Sequence, residues 1–74
     1  MSDVPPPSRV EELSREQGMA RLRGMGAKYV PDKSTPTRHV YWSQQFGTWV
    51  LATSRRGNMV LGYYPMEDCP CNKA

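Results

Sequence analysis

The sequence predicts an α+β fold: one N-terminal helix packed on a small three- or four-stranded antiparallel meander. Three observations carry this reading. A helix-start pattern stands at Ser8, three β-rich runs follow from His39, and glycine-containing turn signals separate those runs. A single domain over residues 8–65 is expected, with a disordered tail at 1–7 and a flexible one at 66–74.

The helix is expected from Ser8. Ser8-Arg-Val-Glu11 fits a capping box, in which the serine oxygen takes a free first-turn amide and the glutamate returns the bond. Glu11 and Glu12 suit the positive end of a helix dipole. The periodicity is imperfect. Val10, Leu13, Gln17 and Ala20 share one side, Met19 and Leu22 fall on another, and Gly18 between them costs a helix about 1 kcal/mol relative to alanine. Gly24 and Gly26 read as the stop signal, with Arg21 and Arg23 favoured in the last turn. Gly24-Met-Gly26 follows a helix, whereas a phosphate-binding loop follows a strand and opens a helix, so a cap is the better reading.

Ala27–Val30 is a candidate fourth strand, stopped by Pro31, and 32–37 is a loop by composition. His39–Gln44, Thr48–Ser54 and Met59–Tyr64 are the three core strands, joined by turns at Phe46-Gly47 and Arg56-Gly57. This pairing puts Val40, Trp42, Trp49, Leu51, Val60 and Tyr64 on one face. Tyr41, Ser43, Val50, Ala52, Met59, Leu61 and Tyr63 fall on the other. The Trp face has the larger apolar surface and is expected to lie beneath the helix. The second face is too apolar for a solvated sheet, which points to a docking platform.

A chain of 74 residues buries only about 60% of the surface its unfolded form exposes. That size excludes a multi-domain enzyme, an enclosed cofactor fold and a transmembrane bundle. The sequence has no isoleucine and one phenylalanine, so its core must draw on aromatics and methionine. The opening residues lack the apolar stretch of a secretory signal, and Trp49–Ala52 is far shorter than the roughly 20 residues of a membrane helix. A cytoplasmic protein is the resulting expectation, with no cofactor and no membrane partner.

The net charge is +3, unevenly distributed. Between residues 18 and 58, Arg21, Arg23, Lys28, Lys33, Arg38, Arg55 and Arg56 face Asp32 alone, and both flanks are acidic. Such a footprint suits an acidic partner.

Cys69-Pro-Cys71 offers two soft ligands where structural zinc wants four, so both are weak metal candidates, and a bridge between them would close almost no loop. His39 and Ser43 lie on one strand and cannot converge with a third group as a catalytic triad does, so His39 reads as a strand-start residue. No catalytic constellation emerges. The functional expectation is a small non-enzymatic protein-binding module, an inhibitor or accessory subunit. It would dock on a larger protein through Tyr41, Met59 and Tyr63 as anchors, with Arg38, Arg55 and Arg56 as steering charges. Nucleic-acid binding through the same aromatic, basic surface is the alternative. A homodimer burying that face is the third expectation.

Overall fold

A computed structural model describes residues 7–68. In chain order the elements are β1 (Arg9–Ser14), α1 (Arg15–Gly24), β2 (Lys28–Tyr29), a 3₁₀ turn (Pro31–Lys33), β3 (His39–Ser43), β4 (Thr48–Arg55) and β5 (Asn58–Pro65). The strands form one antiparallel sheet in the order β1-β5-β4-β3-β2. The α+β class and the β3-β4-β5 meander agree with the sequence. The strand count does not: there are five among the described residues rather than three or four.

The additional strand is β1, in the segment expected to begin the helix. Ser8 does not cap a helix there. Its backbone N–H and its hydroxyl both donate to the Tyr63 carbonyl, opening the ladder that continues from Arg9↔Tyr63 to Ser14↔Asn58. This pairing covers the outer edge of β5, which would otherwise leave backbone donors and acceptors open. The capping pattern occurs six residues later, as Ser14-Arg-Glu-Gln17. The Ser14 hydroxyl accepts from the Gln17 amide at 3.1 Å. At the other end, Gly26 N–H donates to Arg23 O and Ala27 N–H to Leu22 O, with Gly26 at φ 66°. That is a Schellman stop, so the Gly24-Met-Gly26 segment is a cap.

The Arg56-Gly57 turn joins Arg55↔Asn58 with both residues at positive φ, the type I′ geometry that matches strand twist. The first hairpin has a four-residue loop, with Ser43↔Thr48 as its closing pair, rather than the two-residue turn expected. The register therefore moves by two, and an even shift leaves every side chain on its expected face.

The face beneath the helix is the opposite of the one expected. Leu22 and Met25 pack with Val50, Ala52 and Leu61, and Leu13, Tyr41, Met59 and Tyr63 border this cluster. Val50 and Leu61 are wholly buried. Within α1 only Gly18 and Leu22 are buried, which accounts for the imperfect periodicity. Gly18 sits directly on Met59. A β-carbon there would lie 2.4 Å from the Met59 sulfur and 3.1 Å from its Cβ and Cγ. A glycine is what lets the helix backbone come down on the sheet.

α1 does not lie on the Trp face. Trp42 and Trp49 pair across strands with ring centroids 4.7 Å apart. Trp49 donates its indole N–H to Met66 O, Lys33 lies over its ring, and Pro7 approaches Gly62. Crossing segments and the ends of the described chain thus cover part of the face, and Val40 and Tyr64 are buried on it.

Ser43 is fully buried and satisfied. Its hydroxyl donates to Met25 O at 2.8 Å and accepts from the Phe46 amide. It ties the end of α1 to β3.

Gly18→Val is predicted to destabilise the fold by about 2 kcal/mol in urea unfolding, the usual scale for overpacking. In a Met59→Ala background the same substitution should cost less than half as much. Equal costs in both backgrounds would contradict the seating of α1 on Met59.

Candidate functional site

One polar cluster locks the helix to the sheet. Glu11 on β1 accepts from the Tyr63 hydroxyl on β5 at 2.6 Å and from the Arg21 guanidinium on α1 at 2.6 Å, while Arg9 reaches its second oxygen at 3.2 Å. The Tyr63 hydrogen bond, then the Arg21 and Arg9 charges, hold the Glu11 carboxyl below its ordinary value of 4.5 against some desolvation. Tyr63 is pushed up, first by burial and then by donating to a carboxylate. Tyr63 is therefore tied into this cluster by its hydroxyl, and the Arg9 guanidinium lies over its ring at 5.8 Å.

Beside the N-terminal end of α1 the same face is open. A cleft of about 180 Å³ is lined by Arg15, His39, Tyr41, Ala52, Thr53, Ser54 and Met59. Ala52 is buried and forms the floor, half-buried Tyr41 and Met59 form walls, and exposed Arg15, His39 and Ser54 stand at the rim. The small Ala52 side chain, opposite His39 on β3 and Leu61 on β5, leaves the space. Beside the cleft runs an aromatic strip. Tyr29 on edge strand β2 has ring centroids 5.6 Å from Tyr41 and 5.7 Å from His39, and is 48% exposed.

Charge completes the site. Among the described residues the ion pairs join Arg9 and Arg21 to the single carboxylate of Glu11. Arg15, Arg55 and Arg56 are exposed and form no ion pair there, whereas Lys28, opposite Trp42 in the ladder, belongs to the Trp face. Arg15 stands at the rim, and Arg55 and Arg56 follow Ser54 directly into the β4–β5 turn.

The six residues read from the sequence as partner contacts thus separate. Tyr41 and Met59 come together in the cleft, and Arg55 and Arg56 lie at the turn beyond it. Tyr63 sits under α1, and Met59 is partly covered by Gly18. Arg38 belongs to the Trp face, where its charge partly offsets the upward push of burial on the Tyr64 phenol. Arg15, Tyr29, His39 and Ser54 were not expected in a site. Among them only Tyr29, an aromatic next to Lys28 in the candidate fourth strand, carried a usable sequence signal.

His39 opens β3, as the strand-start reading expects. Among the described residues, no three His, Cys, Asp or Glu side chains are placed to hold a metal. Cys69 and Cys71, the weak metal candidates, lie outside the described residues. No helix among those residues is long and apolar enough to cross a membrane. Comparison with protein-family models, curated proteins and solved structures returns no match.

The Glu11 cluster sets a pH dependence. Because folding lowers the Glu11 pKa, its contribution to stability is complete above its ordinary value of 4.5 and is lost as pH falls through the folded value. Urea midpoints between about pH 6 and about pH 3 should fall less steeply in Glu11→Gln than in the wild type. Identical slopes would show that the cluster does not couple to folding.

Proposed function

We propose that the chain is a small non-enzymatic protein-binding module, an inhibitor or accessory subunit, that docks on an acidic surface of a larger protein. The docking surface is the helix-side cleft, the Tyr29–Tyr41 strip and the basic β4–β5 turn. Tyr, Met and Arg are the residue types that interface centres favour, and unpaired cations at a rim speed encounter with an acidic partner.

The observation that carries this reading is Arg56. It is the one non-glycine at positive φ among the described residues, at φ 51°. The first central position of a type I′ turn suits Asn, Asp or Gly, and a long side chain there is held in a left-handed conformation at a cost on the order of 1 kcal/mol. A residue kept where the backbone disfavours it points to a use for its side chain. The neighbouring Arg55 doubles the charge at the tip.

The test separates use from stability. Arg56→Asn should raise the urea midpoint, by about 0.5–1 kcal/mol of stability, and weaken association with the partner captured from the native host's lysate at least about five-fold, the scale of a lost steering contact. Association unchanged in Arg56→Asn and in Arg55→Ala/Arg56→Ala would overturn the reading.

Nucleic-acid binding has one specific observation in its favour, the exposed Tyr29 ring beside the rings of Tyr41 and His39. Single strands stack on such platforms. Titration with an oligothymidylate at low salt decides between the two. The protein-binding reading expects no saturable association. Binding that falls steeply with salt and is lost in Arg55→Ala/Arg56→Ala would favour nucleic acid.

A further inference from the structure

We infer that the cleft beside α1 receives a single aromatic side chain of the partner, presented next to a carboxylate. The inference rests on the docking reading and names the chemistry of its central contact.

Volume selects the size of the guest. The cleft holds about 180 Å³, and a cavity of about 150 Å³ lined by apolar side chains admits benzene. One six-membered ring fits, whereas an indole with its backbone crowds the space. The lining selects an aromatic guest over an aliphatic one. Tyr41 offers the edge or face of a ring, Met59 lines the cleft with a polarisable thioether side chain whose sulfur also lies under Gly18, and the buried Ala52 floor lets the guest descend. Tyr41 already packs with Tyr29 in a tilted pair, so a third ring extends an existing aromatic row.

Charge selects what accompanies the ring. The lining contains Arg15 and His39 and no carboxylate. Glu11, the acid that neutralises two arginines on this face, lies on β1 and is engaged by Tyr63, Arg21 and Arg9. Arg15 is left with no ion pair among the described residues. A carboxylate beside the guest ring would meet this guanidinium and the Ser54 hydroxyl at the rim, where charge-assisted hydrogen bonds are the stronger kind.

The probes are three small molecules that share the ring and differ in charge: phenylacetate, benzyl alcohol and benzylamine. Each is titrated to about 20 mM, since fragments of this size bind weakly, into isotope-labelled full-length protein observed by amide NMR. Saturable shifts are expected at Tyr41, Ala52, Ser54 and Met59, with phenylacetate bound at least about five-fold more tightly than benzylamine. Arg15→Ala should reduce that preference to below about two-fold while ring binding persists. Ala52→Met, which fills the floor, should abolish the shifts. If that variant does not fold, the Arg15→Ala comparison carries the test alone.

Absence of saturable shifts at these amides, shifts centred elsewhere, or equal binding of phenylacetate and benzylamine would overturn the inference. Partner association that depends on Arg56 alongside a cleft that ignores phenylacetate would sink the aromatic anchor and leave the docking reading standing. Phenylacetate binding alongside association indifferent to Arg56 and Arg55 would sink the docking reading and keep the cleft's ligand class.

Discussion

A short helix cannot roof a five-stranded sheet, and this mismatch governs the rest of the molecule. Strands lie about 4.8 Å apart, and a helix with its side chains is about 10 Å wide, so α1 covers about two of them. Gly18 decides which two, because only there can the helix backbone descend on Met59. The Glu11 cluster then clamps α1 to β1 and β5. The far side of the same face, over β3 and β2, is left to Tyr41, His39 and Tyr29. The open cleft is therefore the direct consequence of where the helix is seated.

The same clamp shapes the electrostatics. Glu11 absorbs two arginines that would otherwise crowd the β1 side. Among the described residues, Arg15 at the rim of the cleft and Arg55 and Arg56 at the β4–β5 turn form no ion pair. The proposed docking on an acidic partner draws on this face's apolar walls, its basic rim and one arginine in an unfavourable backbone conformation. Stability is given up at the turn, and the fold recovers it in the core formed by Leu22, Met25, Val50 and Leu61.

Much of this was legible in the sequence because it is local. Strand alternation from His39 to Tyr64, the Arg56-Gly57 turn and the Gly26 stop each follow from a few neighbouring residues, and so does the sorting of side chains between the two faces. What was not legible depends on distant residues. Arg9–Ser14 carries a helix-start pattern, and its pairing with residues 58–63 overrides that local signal. With β1 read as helix, no strand–helix–strand crossover exists in the sequence. The preferred hand of such crossovers therefore could not indicate which face α1 takes, and apolar bulk pointed to the Trp face instead. The candidate site inherited the difference. Tyr41 and Met59 were identified by alternation, whereas Arg15 and Ser54 join them only because α1 begins at that point above the sheet. Tyr63 looked free because its partners Glu11 and Arg21 were assigned to a single helix.

The seating of α1 on the Val50/Ala52/Leu61 side of the sheet underlies the cleft, the clamp and the charge pattern. Nuclear Overhauser contacts from the Leu22 and Met25 methyl groups test it directly. Contacts to the methyls of Val50 and Leu61, and none to Trp42, Trp49 or Leu51, are the result this account requires. Contacts to Trp42, Trp49 and Leu51 instead would place the helix on the opposite face and contradict it.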